Sequence, residues 1–195
     1  MGSKESEFEI WYVIGLSNYY RAFDVYRSSM ANTIKDQAAH IIKLARKRHM
    51  TVATVESCTA GSLAHLLSQA EGASDTLHGG FVVYTKENKT ASVGVPPELL
   101  QAHTAVSAEV AQAMAQGGLS RCPADFVVSI TGVAGPEPDE DGNPVGLVYV
   151  AVAARDGRMQ VARHDFGKCS KDEICAAAIG TALALLEELL TVQVS

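Results

Sequence analysis

Short apolar runs alternate with amphipathic stretches through most of this chain. The runs at residues 51–55, 81–84 and 125–130 have the length and the β-branched or aromatic content of buried strands. Apolar residues recur at helical spacing over 34–45, 59–69 and 107–117, and the Lys-rich segment 85–92 is also predicted to be helical. Strands that are separated by helices predict a sheet whose early strands run parallel.

The last third of the chain has a different pattern. Residues 145–154 and 159–166 are both strand-like, and RDGR at 155–158 puts an Asp-Gly turn between them, which predicts a β-hairpin. An Ala- and Leu-rich helix is predicted from 171 to 190. The complete pattern predicts an α/β fold, a three-layer α/β/α sandwich with a mixed, mostly parallel sheet and a late β-hairpin.

Aromatic residues indicate a boundary near Met30. Seven of the twelve aromatic side chains precede it. Residues 1–30 are either an aromatic arm that docks on the domain or on a partner, or an extension outside the fold, and we favour the extension. Asn32 is a possible N-cap for the first helix, and we therefore predict a single domain over residues 31–195.

Composition argues against several classes of protein. The net charge of -6, the pI near 5.5 and the lack of a basic cluster beyond residues 43–48 argue against binding to nucleic acid. Four cysteines without C-x-x-C spacing indicate reduced thiols and a cytoplasmic location. No apolar run approaches the roughly 20 residues that cross a bilayer, so we expect no membrane association.

The sequence ESCTAG at residues 56–61 stands where a strand meets a helix. A Ser at such a junction, next to the free N–H groups of a helix start, has what acyl transfer requires: an attacking oxygen and donors for an oxyanion. Ser, Thr and Gly are also the usual residues for capping a helix, so the hexapeptide alone leaves both interpretations open.

Three loops follow the predicted strands, at 56–61, 84–89 and 131–136. If the strands are parallel neighbours, the loops meet at the sheet edge where open α/β sheets bind ligands. The first loop supplies hydroxyls and backbone amides, the second a phenol and two amines, and the third backbone amide donors next to glycines. This combination suits an anionic substrate with an acyl or phosphoryl centre.

Several motifs occur in order: ESCTAG at 56–61, GFVVYTKENK at 80–89, VSAEVA at 106–111, ITGVAGP at 130–136 and PVG at 144–146. Together they resemble the CinA C-terminal domain family, over residues 31–190. Members of that family are nicotinamide-nucleotide amidohydrolases. The resemblance implies hydrolysis of nicotinamide mononucleotide to nicotinate mononucleotide and ammonia by a stand-alone domain without a cofactor, and a tendency to self-associate into a homo-oligomer. The alternative is a non-catalytic nucleotide-binding sensor linked to competence or DNA damage.

The predicted catalytic residues are Ser57, Tyr84 and Lys89. Ser57 is the predicted nucleophile, and Cys58 is its rival because thiols attack well, although a buried Cys is commonly a small apolar filler. No His is placed for a Ser-His-Asp triad, so the base is Tyr84 or Lys89, with the Lys lowering the pKa of the phenol.

The predicted substrate-binding residues belong to the same three loops. Thr59 is expected to cap the helix and, with the Ala60 and Gly61 amides, to build an oxyanion or phosphate site. Ala60 stands where relatives usually have Gly, and Lys86 where many have Asn; Lys86 is a second cation for phosphate. Further contacts are expected from a ligand-facing turn of Thr131, Gly132 and Gly135. The acidic stretch at 137–141 has no His partner and no ligand spacing, so we expect a solvated loop and no metal site.

Overall fold

The structure is a computed structural model that describes residues 33–192. Its sheet has the strand order β2-β1-β3-β4-β5. Strand β1 pairs in parallel with β2 and β3, whereas β4 pairs antiparallel with β3 and β5. Strand β4 therefore runs against the other four. The strands are β1 Val52–Glu56, β2 Leu77–Val82, β3 Phe126–Gly132, β4 Leu147–Ala154 and β5 Met159–Asp165.

Helices cover both faces of the sheet. They are α1 at 33–47, α2 Ser62–Ser68, α3 Ala73–Thr76, α4 Lys86–Val93, α5 Pro97–His103, α6 Ala108–Arg121 and α7 Lys171–Thr191. Helices α1, α2 and α7 pack on one face, around Val128 of β3. Helices α4, α5 and α6 pack on the other, around Val127. Successive residues of a strand point to opposite faces, so β3 contributes to both cores. The predicted three-layer sandwich and the hairpin β4–β5 are confirmed.

Strand β2 differs from the sequence prediction. It begins at Leu77 and ends at Val82, so Tyr84 lies beyond the strand that was predicted to contain it. Alternate residues of β2 are exposed, and its pairing is with β1 alone. The prediction of a second buried strand is therefore wrong. In this edge strand alternate side chains reach solvent, and a short apolar run in the sequence does not distinguish such a strand from a buried one.

The ends of several helices follow from local chemistry. Ser107 accepts a hydrogen bond from the Val110 amide at 3.2 Å and caps α6. Thr85 caps α4 in the same way, through the Asn88 amide at 3.2 Å. The Pro pair at 96–97 starts α5, because Pro at the first helical position lacks only an N–H donor that would have no partner there. The predicted N-cap Asn32 and the extension 1–30 lie outside the described residues.

Helix α7 is long and apolar enough, by length and composition, to cross a membrane. The sequence-based statement that no stretch approaches this length is therefore wrong. The helix packs on β3 and β4 through a buried face that includes Ile174, Leu183 and Leu186. A core helix passes the same test as a membrane span, and the packing identifies α7 as a core helix.

Candidate active site

The register of the parallel strands brings the three predicted loops together. Glu56, the last residue of β1, lies opposite Val82 of β2 and Ile130 of β3. The ladders continue for one more step, because the Ser57 amide donates to Ile130 O at 3.0 Å and the Val83 amide donates to Glu56 O at 2.8 Å. The carboxyl ends of β1, β2 and β3 therefore meet at one edge of the sheet, as the sequence predicted.

A cavity of about 440 Å³ opens at this edge. This volume lies within the range that small-molecule sites occupy. Of the predicted site residues, those that line the cavity are Ser57, Tyr84, Lys86, Lys89, Thr131, Gly132 and Gly135. The loop between β3 and β4 and the start of α7 complete the wall, including Glu137 and Lys171. Within the described chain, no group of three His, Cys, Asp or Glu side chains is placed to hold a metal ion.

Ser57 and Lys89 are in direct contact. Lys89 Nζ donates to Ser57 Oγ at 2.9 Å and to Val83 O at 3.0 Å. The Lys89 side chain is almost completely buried, with 1% relative exposure. Burial disfavours the charged form and lowers the pKa of the Lys89 ammonium to about 8. A lysine that can lose its proton near neutral pH is thus held against a serine hydroxyl.

Tyr84 occupies a different position at the same cavity. Its side chain is 60% exposed. In the part of the chain that the structure describes, its hydroxyl makes no hydrogen bond to Ser57 or Lys89. Of the two predicted bases, Lys89 is therefore the one in hydrogen-bond contact with the serine, and Tyr84 lies at the rim of the cavity.

The Glu56 carboxylate is fully buried at the N-terminus of α2. It accepts hydrogen bonds from the amides of Gly61, Leu63 and Ala64 at 2.8–3.0 Å. The hydroxyls of Thr54 and Thr59 also donate to it, at 3.0 and 2.7 Å. A carboxylate satisfies these helix-start donors and complements the helix dipole. This role of Glu56 was not predicted from the sequence; the available signal was an acidic residue shortly before a helix start.

Glu56 changes the expectation for residues 59–61. Gly61, not Thr59, is the N-cap of α2, so the predicted capping role of Thr59 is wrong. The Thr59 hydroxyl and the Gly61 amide are both bound to Glu56, and none of residues 59–61 lines the cavity. Ala60 has a left-handed backbone conformation with φ 51°, which is strained for a residue that has a Cβ atom. The predicted oxyanion or phosphate site is not at these residues.

Lys86 is paired with the acidic loop. Its Nζ lies 2.8 Å from both Glu140 Oε1 and Asp141 Oδ2. The hydrogen bonds to Asp141 and Glu140 raise the pKa of Lys86. The loop is also folded on itself, since Asp139 accepts hydrogen bonds from the amides of Asp141 and Asn143. The loop is exposed to solvent as expected, and these contacts also make it an ordered part of the cavity wall.

The third loop presents its turn to the cavity. The Thr131 hydroxyl donates to Ala105 O at 2.7 Å, which ties the end of β3 to the segment before α6. Gly132 ends β3, and Gly135 has φ 86°. The amides of Ala134 and Gly135 have no acceptor among residues 33–192. These two amides are backbone donors available in this wall.

Cys58 belongs to the apolar core. It is buried with residues of α2 and α7 such as Leu63 and Ile179, although some of its atoms reach the cavity wall. Burial raises the pKa of the Cys58 thiol to about 12, and the nearby Cys175 acts in the same direction. A thiol with this pKa stays protonated at neutral pH and is a poor nucleophile.

Sequence comparison identifies relatives across most of the chain. A family model described as CinA C-terminal domain matches residues 34–190. A CinA-like protein of Synechococcus sp. (strain RCC307) is 40% identical over 149 residues, which are 76% of this chain and 36% of the relative. A CinA-like protein of Solibacter usitatus is 40% identical over 148 residues, 76% of this chain and 35% of the relative. The chain thus spans about a third of the length of these curated relatives.

Solved structures share the fold. The competence/damage inducible protein CihA from Agrobacterium tumefaciens has a TM-score of 0.78 and 38% identity, covering 80% of this chain and 94% of its own. A CinA superfamily protein from Escherichia coli has a TM-score of 0.77 and 34% identity, covering 82% and 91%. The chain therefore belongs to the CinA C-terminal domain family.

Proposed function

We propose that this protein hydrolyses the carboxamide of nicotinamide mononucleotide to nicotinate mononucleotide and ammonia. The observation that carries the proposal is the 2.9 Å contact between Lys89 Nζ and Ser57 Oγ in a cavity of ligand size. A serine is a weak nucleophile unless a base takes its proton. A buried lysine of lowered pKa is a base of suitable strength near neutral pH.

The reaction proceeds in two steps. Neutral Lys89 takes the Ser57 proton while Oγ attacks the carboxamide carbon, and the carbonyl oxygen becomes an oxyanion. The oxyanion collapses, the C–N bond breaks, and the Lys89 ammonium returns the proton to the departing nitrogen, which leaves as ammonia. Water then attacks the Ser57 ester, with Lys89 again as the base, and releases the carboxylic acid and the free hydroxyl.

The oxyanion requires hydrogen-bond donors at the cavity wall. The first amides of α2 are bound to Glu56 and do not serve here. The unpaired amides of Ala134 and Gly135 line the same cavity as Ser57 and take this role in our proposal. Tyr84 then contributes at the rim, where an exposed ring suits contact with the substrate, and Lys89 acts as the base.

Ammonia release from nicotinamide mononucleotide tests the proposal. We expect wild-type activity that rises with pH around a midpoint near 8, because the neutral form of Lys89 is required. Ser57→Ala and Lys89→Met should lose activity by at least 100-fold, the scale of a lost nucleophile or base. Cys58→Ala is the matched neighbour and should stay active, and Tyr84→Phe should retain most of the rate.

Three results would contradict parts of this proposal. Loss of activity in Cys58→Ala alone would move the nucleophile to the thiol. Loss in Tyr84→Phe as deep as in Lys89→Met would make the phenol the base. Binding of nicotinamide mononucleotide without any ammonia release would favour the nucleotide-binding sensor.

A further inference from the structure

The cavity wall contains three lysines, Lys86, Lys89 and Lys171. Lys89 is buried and donates a hydrogen bond to Ser57, so we assign it to the hydrolytic step and not to phosphate binding. The other two differ in their surroundings. Lys86 lies within 2.8 Å of two carboxylates, whose charges already exceed its own. Phosphate at Lys86 would have to displace Glu140 and Asp141 or be repelled by them.

Lys171 reaches the cavity through the topology of the sheet. Strand β5 runs in the same direction as β1, so its carboxyl end lies at the same edge as Ser57. Residues 166–170 follow that end, and Lys171 is the first residue of α7. Lys171 was not predictable from the sequence as a site residue, because the edge at which the hairpin ends depends on the direction of β4.

Lys171 has no ion-pair partner within residues 33–192. Lys171 is exposed and lines the cavity. None of the carboxylates of the acidic loop pairs with it, whereas two of them pair with Lys86. Of the lysines in the wall, Lys171 is therefore the one whose charge is available to an anionic ligand. A charged donor adds both Coulomb attraction and a strong hydrogen bond to a phosphate.

We propose that Lys171 binds the phosphate group of the nucleotide substrate and sets the preference for a phosphorylated nucleotide over its nucleoside. This inference rests on the proposed function, because it names the group that positions the carboxamide at Ser57. Lys171 contacts the phosphate and no reacting atom, so its contribution appears in the KM of the phosphorylated substrate and leaves the hydrolytic machinery intact.

The kinetic test compares two substrates that differ only in the phosphate, nicotinamide mononucleotide and nicotinamide riboside. Lys171→Ala should raise KM for the mononucleotide roughly 10-fold and change KM for the riboside less than about 2-fold, because one exposed charged contact is worth about one factor of ten. Lys168→Ala removes an exposed lysine that does not line the cavity, and it should leave both values unchanged.

Other outcomes overturn the inference. Equal effects of Lys171→Ala on both substrates would mean that the residue acts on the nucleoside or on the fold. A substrate-selective effect in Lys86→Ala, with none in Lys171→Ala, would place the phosphate at the acidic loop.

A binding experiment separates this inference from the proposed function. Calorimetry on Ser57→Ala, with and without Lys171→Ala, measures the affinity for the mononucleotide and for the riboside without turnover. A selective loss of mononucleotide affinity supports Lys171 even when the wild type releases no ammonia. Unchanged mononucleotide affinity in the double variant, or its failure to bind in Ser57→Ala, contradicts the phosphate site whatever the activity of the wild type.

Discussion

Lys89 is a buried cation whose folded environment favours the neutral form. Its pKa of about 8 lies below the ordinary 10.5, so the folded state binds fewer protons than the unfolded state between these values. The free energy of unfolding of the wild type should therefore increase with pH from 8 to 10.5. Below pH 8 the wild type should be least stable in comparison with a variant that has a neutral side chain at position 89. The same burial that makes Lys89 a base opposes folding.

The variant Lys89→Met measures this effect. At pH 7 we expect its free energy of unfolding to exceed that of the wild type by about 1–3 kcal/mol, since the pKa difference corresponds to about 3 kcal/mol and lost hydrogen bonds offset a part. The difference should shrink as pH rises towards 10. Urea unfolding at several pH values gives the comparison, and a difference that is independent of pH would contradict the assigned cause.

Glu56 fixes the segment that carries Ser57. In Glu56→Gln an NH₂ group must replace one oxygen among five donors, so at least one donor is left unpaired. We expect a loss of about 2–3 kcal/mol in unfolding free energy, together with lower ammonia release. Glu71→Gln, on an exposed residue, is the control and should change stability by less than about 0.5 kcal/mol. Wild-type stability in Glu56→Gln would show that the carboxylate is not required.

Ala60 carries backbone strain beside the nucleophile. Its φ of 51° is unfavourable for a residue with a Cβ and acceptable for Gly. Ala60→Gly should stabilise the protein by about 0.5–1 kcal/mol in urea unfolding. The matched change Ala184→Gly, on an exposed site of α7, should destabilise it by about 1 kcal/mol. If both changes destabilise equally, the strain at Ala60 is absent.

At the scale of elements, α6 depends on close contact with its neighbours. A Cβ at Gly117 would overlap the Val93 carbonyl at the end of α4, and one at Gly118 would lie 2.7 Å from Val127 Cγ1 of β3. Helix α6 therefore packs against both α4 and the sheet at these two glycines. This contact helps position α4, which carries Lys89.

Two Gly→Ala changes test this packing. Gly117→Ala should lower the unfolding free energy by about 2–3 kcal/mol, because the backbone of α4 must move. Gly180→Ala in α7 adds a Cβ that meets nothing within 4 Å, and it should stabilise the protein by about 0.5–1 kcal/mol through helix propensity. A loss at Gly180 instead would indicate that the outer face of α7 is packed in solution, as expected for the predicted homo-oligomer.

At the scale of the whole molecule, described residues on the two faces of the sheet form two main core clusters. Helices from this part of the chain pack on each face of the sheet, and the interpretation of residues 1–30 as an extension stays a prediction. A chain that starts at Met30 should unfold within about 0.5 kcal/mol of the full chain and with the same urea dependence. A larger loss would favour the alternative, an aromatic arm docked on the domain.

The sequence by itself determined the order and type of most elements and the place of the site. Periods of two and 3.6 residues follow from strand and helix geometry, and parallel strands bring their following loops to one edge. The placement of Ser57, Tyr84 and Lys89 at a single cavity was therefore predictable. The motifs also gave the family, which the comparisons confirmed.

Tertiary structure alone decided which polar groups meet. The amides at the start of α2 are bound by the Glu56 carboxylate and not by a ligand. Lys86 pairs with the acidic loop, and Lys171 lies at the cavity just after the end of β5. Strand β2 is an edge strand because no further strand pairs with it in the described chain. Hydrophobic patterns set which face of an element is buried, whereas a hydrogen bond or an ion pair depends on distances between atoms from separate segments. Those distances are fixed only when the sheet and its helices have packed.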